Sequence, residues 1–170
     1  MKPIAIHALF LAWLLSCPAQ DWAVAKPGYD YAFPRDHGSH PGHKIEWWYF
    51  TGNLRSEKGD RFGYQLTFFR IGAVPQPAST SPWALRDVWM AHFAVSDIGG
   101  DKYLCVDRLN RAGPGLAGAS IERVWNEDWS CRMGTPDTFE LEAADRGFSI
   151  HLNLKSGSPP IIHGRDGISQ

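Results

Sequence analysis

An excess of charge of either sign is what this sequence most plainly lacks. Its 17 Lys and Arg stand against 18 Asp and Glu, a net charge of −1, with both signs scattered along the chain. No basic stripe is available to follow a phosphate backbone, so the electrostatic basis for a nucleic-acid partner is missing, and so is one for an anionic membrane surface. Long apolar runs are missing too. The run at residues 4–15, IAIHALFLAWLL, falls short of the roughly 20 residues a membrane-spanning helix needs. There is no long amphipathic helix pattern and no internal repeat. The H-E-x-x-H pattern of helical zinc sites and the G-x-S-x-G elbow of serine hydrolases do not occur. G-x-G-x-x-G is matched only formally, from Gly113 to Gly118. Pro114 removes a backbone donor there and no helix pattern follows, so the stretch reads as a loop rather than a phosphate cradle. Cysteine is scarce, with three in 170 residues.

What is abundant is aromatic. Phe, Trp and Tyr make up 13% of the chain, eight of them Trp. Large rings favour strands and the walls of apolar pockets. With 44% hydrophobic and 21% charged residues the chain is globular.

The N-terminus has the form of an export signal. Lys2 precedes the short apolar run, and two processing sites follow. Ala23-Val24-Ala25 is an A-x-A site with cleavage before Lys26. Leu14-Leu15-Ser16-Cys17 is an imperfect lipobox that would make Cys17 a lipidated first residue. Residues 1–25 are therefore expected to be a signal peptide, and the mature protein to be periplasmic or a membrane-anchored lipoprotein. Cys105 and Cys131 remain, as a disulfide or as two buried thiols.

Residues 26–43, polar and rich in Pro and Gly, read as an extended lead-in to a domain over 44–170. The strand signals are β-branched or aromatic runs at 46–54, 61–71, 88–97, 102–108, 121–125, 138–143 and 148–155. The first two form a hairpin around Gly59, the last two a hairpin at Arg146-Gly147, and the prolines of 74–82 mark a loop. The expected fold is all-β, an antiparallel barrel or sandwich. A period of two puts Glu46, Trp48, Phe50 and Leu54 on one face, with Phe62, Tyr64, Leu66 and Phe68, and Trp89, Ala91, Phe93 and Val95. The opposite faces are not plainly polar. They carry Trp47, Tyr49 and Thr51, then Gln65, Thr67 and Phe69, then Met90, His92 and Ala94. A sheet with rings on both faces is expected to be covered on both.

Chemistry concentrates in DHGSHPGHKIEWWYFTGNL, which begins at Asp36. His37, His40, His43 and Glu46 are residue types that zinc accepts, but their H-x-x-H-x-x-H spacing in a Gly/Pro loop puts no two imidazoles on one helix face, and no metal is assigned. Glu46, in phase with Trp48 and Phe50, would become a neutral acid if buried among rings. Asp36 would then serve as a charge-paired partner of His37 or His40. The rival reading pairs Glu46 with Arg70 as a structural ion pair.

The stretch FPRDHGSHP from Phe33, with EWWYFTGNL from Glu46, FGYQLTFFR from Phe62 and MAHFAVSD from Met90, resembles AttH-like proteins. These include the hydroxyneurosporene synthase or carotenoid 1,2-hydratase group. The likeness runs on to Ile161-Ile162-His163-Gly164. It implies a lipocalin-like β-barrel or sandwich, the first of two such domains in a longer chain, with the second domain as a partner. It also implies an exported binder of an apolar lipid-like or isoprenoid molecule, accessory to an ABC-type export system. The alternative it implies is a cofactor-free hydratase that adds water to an isoprenoid double bond. A metal-dependent hydrolase using the histidine loop is the weaker alternative. For a hydratase, Glu46 or Asp36, with His37, would supply the acid. Trp47 and Tyr49, with Phe69 among the ligand-binding residues, would face the cation, and Gln65 or His92 would hold the water.

Overall fold

The computed structural model describes residues 21–75, 79–134 and 138–168. The expected signal peptide lies outside them up to residue 20, Cys17 included. Among the described residues, nine strands form two antiparallel sheets. β1 (Ile45–Arg55), β2 (Arg61–Gly72), β3 (Asp87–Asp97) and β4 (Lys102–Arg111) make one in the order β1-β2-β3-β4. β5 (Ala117–Ala119), β6 (Arg123–Asn126), β7 (Trp129–Met133), β8 (Thr138–Asp145) and β9 (Phe148–Lys155) make the other, again in sequence order. Strands that neighbour in each sheet also follow one another in sequence, joined by short turns except for the fourteen-residue loop 73–86 between β2 and β3. The only helix among the described residues is a single 3-10 turn, Arg35–His37. The fold is thus all-β and lipocalin-like, a sandwich of two sheets.

The core lies between the sheets. From the first come Leu66, Phe68, Trp89, Ala91 and Phe93, and from the second Val124, Trp129, Cys131, Leu141 and Ala143, all buried. Phe93 meets Trp129 edge-on at 5.6 Å and stacks on Phe148 at 4.8 Å. Each fully buried large side chain contributes about 1.5–3 kcal/mol by leaving water. Rings meeting across the gap are therefore what holds the two sheets together. Asn126, buried among them, donates from Nδ2 to the Trp89 carbonyl, so its amide is not stranded in the core.

The alternation read from the sequence is present. On β1, every even-numbered residue from Glu46 to Leu54 is half-buried and every odd-numbered one from Ile45 to Arg55 is exposed. Tyr64 lays its ring over Gly52, its cross-strand partner. A Cβ at Gly52 would meet that ring at 2.8 Å, so the glycine of the T-G-N turn of sequence is a packing requirement.

Two strands went unread in the sequence. β5 is Ala-Gly-Ala, with no β-branched or aromatic residue to mark it. β7 is five residues long, and its buried residues include Ser130, which masks the alternation of Trp129, Cys131 and Met133. Both described cysteines are free. Cys105 is exposed on β4, while Cys131 is buried in the other sheet, where loss of hydration pushes its thiol up to about 12.

Candidate functional site

The charged residues of the opening motif gather where the lead-in loop crosses the start of β1. Arg70 is the hub. It is only 1% exposed, and a guanidinium at that depth has to be paired and hydrogen-bonded. Its Nε donates to Glu46 at 2.8 Å and its Nη1 to Asp87 at 2.8 Å. Its Nη2 donates to the carbonyls of His40 at 3.1 Å and His43 at 2.5 Å. The loop is thereby tied to the sheet through its own backbone. Glu46 lies directly opposite Arg70 in the β1–β2 register, so the glutamate that opens E-W-W-Y and the arginine that closes Q-L-T-F-F-R are cross-strand partners.

The surroundings of Glu46 differ from those expected of a neutral acid. Besides Arg70, its oxygens accept from Ser39 Oγ at 3.1 Å, from the His40 backbone N–H at 2.5 Å and from His40 Nδ1 at 2.8 Å. Four donors converge on the one carboxyl group. Asp36 is held as a carboxylate. The Arg35 guanidinium beside it, bonded through Nε at 2.8 Å and Nη2 at 2.9 Å, keeps its carboxyl far below the ordinary range against the opposing effect of burial. The Ala32 N–H, His40 and the Tyr29 hydroxyl add to this. Asp36 is therefore not placed as a proton donor at neutral pH.

The three loop histidines diverge. His40 bridges the carboxylates, with Nδ1 on Glu46 and Nε2 3.3 Å from Asp36. His43 donates from Nδ1 to the Ala23 carbonyl at 3.0 Å. His37 turns the other way, its ring between Phe33 at 4.6 Å and Phe139 at 5.3 Å. Among the described residues, no three His, Cys, Asp or Glu side chains converge as metal ligands.

The expected ligand-binding residues lie elsewhere, and together. Trp47, Tyr49, Gln65, Phe69 and His92 all face away from the sandwich core, on the outer side of the four-stranded sheet. The register sets them in cross-strand rows. Trp47 is opposite Phe69, Phe69 opposite Met90, and Met90 opposite Leu109. In the next row Tyr49 is opposite Thr67, Thr67 opposite His92, and His92 opposite Asp107. Trp47 is 63% exposed, Tyr49 53% and Leu109 67%. His92 stands edge-on to Phe69 at 5.2 Å and its Nδ1 lies 3.1 Å from Asp107, while its Nε2 is buried without a partner. Asp107 and Leu109 went unread as parts of this face. Pairing β4 to β3 residue by residue is the signal that finds them.

Glu46 and Trp47, neighbours in sequence, thus serve opposite sides of one sheet. The acid candidates belong to the inner side and its lead-in loop, and the ring set to the outer side.

This chain is similar to a protein family and to a solved structure. The AttH-like family matches residues 24–170. The crystal structure of a Nitrosomonas europaea protein described as an AttH superposes with a TM-score of 0.76 at 30% identity. The superposition takes in 87% of this chain and 45% of that one, so the chain spans about half of the Nitrosomonas protein's length. No curated protein matches. With the family pattern running through the lead-in, both sheets and the closing segment, the chain belongs to the AttH-like family.

Proposed function

We propose that this protein is an exported lipocalin-like carrier that holds an apolar, lipid-like or isoprenoid molecule against the outer face of its four-stranded sheet. A second lipocalin-like half supplies the opposite wall, and the protein serves beside an ABC-type export system. One observation carries the reading: Trp47, Tyr49, Gln65, Phe69 and His92 come from three strands onto a single uncovered face, with Leu109 continuing it. Apolar faces of this kind, rimmed by polar groups, are interaction sites far more often than bare surface. Gln65, half-buried on this face, is a polar anchor that orients an otherwise apolar ligand. The similarity to a chain about twice as long supports a second half as that wall. Export rests on Lys2, the apolar run behind it and the two processing sites.

The second reading, a cofactor-free hydratase, would use the same rings to face a carbocation. Its acid would have to come from outside the Asp36–Glu46 network, because both carboxylates are committed to arginine and lie on the other side of the sheet. Mass spectrometry of small molecules that co-purify with the full-length protein tests the carrier reading. An apolar ligand retained by the wild type and lost from Trp47→Ala and Phe69→Ala is the expected result. Retention by both variants places the ligand elsewhere and overturns the assignment. N-terminal sequencing of the mature protein tests export, and an intact Met1 ends it.

A further inference from the structure

The outer face of the four-stranded sheet is graded from one end to the other. Beyond the Trp47 and Tyr49 rows, the register places Thr51, Gln65, Ala94 and Cys105 in one row and Asn53, Gly63, Ser96 and Tyr103 in the next. The last outward pair is Arg55 and Arg61, directly opposite each other where β1 turns into β2. Rings thus give way to small uncharged residues, and these to two cations. The middle rows form a trough of about 440 Å³ that no charged side chain lines. Gly63 and Ala94 keep its floor low, and Tyr103, 67% exposed, stands at its side. Asn53 lines this trough and also a neighbouring cavity of about 330 Å³, which holds both arginines with Leu54, Phe62 and Ile98. The two hollows therefore meet at Asn53.

The arginine pair is out of place on structural grounds alone. Like charges directly across an antiparallel ladder repel and cost stability. Both side chains are exposed, and among the described residues neither is ion-paired. Asp60, next to Arg61 in sequence, is held in the turn instead, where it accepts from Ser56 Oγ at 2.9 Å. A phosphate between two guanidinium groups turns the repulsion into attraction, since each can donate two parallel N–H bonds to its oxygens. A neutral or cationic group there would leave the repulsion as it is. Length agrees with a lipid. The strand from Trp47 to Arg55 covers about 27 Å. A membrane lipid is about 20–22 Å long, half of a bilayer, so with its head on the arginines its tail ends on the Tyr49 and Trp47 rows. The uncharged trough lies between, under the linkage of head to chain, where Asn53 and Gln65 offer both donors and acceptors.

Building on the carrier reading, on which this rests, we infer that the ligand is a phosphate-headed lipid lying along β1 and β2. Its phosphate sits on Arg55 and Arg61, and its chain runs over Tyr49, Trp47 and Phe69. Three probes separate the parts: lauroyl lysophosphatidic acid, monolaurin as the same chain without the phosphate, and inorganic phosphate. Each is titrated into the full-length protein by calorimetry, below the concentrations at which the lipids form micelles. Lysophosphatidic acid should bind at least tenfold more tightly than monolaurin. The preference should shrink with added salt, because exposed charges are screened. Arg55→Gln with Arg61→Gln, at exposed positions, should bring lysophosphatidic acid down to the affinity of monolaurin. Trp47→Ala should weaken both lipids. A preference that survives the double arginine variant, or that salt does not change, would overturn the assignment of the head. Inorganic phosphate bound as tightly as lysophosphatidic acid would make this a site for the free ion and overturn the lipid. Equal binding of the two lipids, with both weakened by Trp47→Ala, would overturn the phosphate head and leave the carrier reading standing. If neither lipid binds, both readings fall.

Discussion

At the scale of the residue, the opening motif is a lock before it is anything else. Glu46 and Arg70 are cross-strand partners, and Arg70 then reaches Asp87 and two loop carbonyls. Replacing Glu46 by Gln keeps the shape but leaves the buried guanidinium with Asp87 as its only charged partner. A loss of about 3–5 kcal/mol is expected, because breaking one side of a buried pair strands the other. Urea unfolding of wild type and Glu46→Gln measures it, and unchanged stability would mean that the pair is not what holds the loop. Asp36 makes a pH prediction with a definite sign. Its folded-state value lies well below the ordinary carboxylate value, so its contribution is complete above about pH 4 and is lost as pH falls toward the folded value. Thermal unfolding of Asp36→Asn should therefore fall less steeply than that of wild type below pH 4, with the two curves parallel at neutral pH. Parallel curves at all pH values would dismiss the Arg35–Asp36 pair. The residue types of this site were legible in the sequence, including the Glu46–Arg70 rival pairing. What was not legible was the convergence of four donors on one carboxylate, because Ser39 and His40 reach Glu46 only once the loop has folded back.

At the scale of the element, the strands that sequence periodicity finds are those whose alternation is carried by large or β-branched residues. β1 to β4, β8 and β9 announce themselves so, and their observed bounds differ from the expected ones by three residues at most. β5 is made of small residues that pack by closeness. A Cβ on Gly118 would meet the Trp125 ring at 2.7 Å, so its glycine is there for the ring and carries no strand signal of its own. The same logic governs Gly52 under Tyr64. Because Tyr64 is itself buried, its ring cannot simply move aside. Gly52→Val is expected to destabilise by about 1–3 kcal/mol, the usual cost of overpacking, despite the better strand propensity of valine. Gly52→Val paired with Tyr64→Ala should recover part of that loss in a double-mutant cycle. A valine that stabilises on its own would show that the ring contact is loose.

At the scale of the whole molecule, the puzzle posed by rings on both faces of three strands resolves asymmetrically. The inner face meets the five-stranded sheet, and the outer face meets nothing in this chain's described residues. Composition could not reveal this, because alternation says that two faces are apolar and not which one the chain itself covers. Trp47, Tyr49, Tyr103 and Leu109 are each more than half exposed on that outer side, with Phe69 and Met90 between them. Water is the poorest neighbour for such a row, and a second copy is the nearest substitute when a covering half is absent. Residues 26–170 produced alone should therefore self-associate, with an apparent mass that rises with concentration in sizing chromatography coupled to light scattering. Trp47→Ser with Phe69→Ser should shift the population toward monomer. It should leave the fold intact, since neither side chain belongs to the core between the sheets. Were the unaltered fragment a monodisperse monomer at every concentration, the outer face would not need a cover, and the case for a second half as its wall would fall with it.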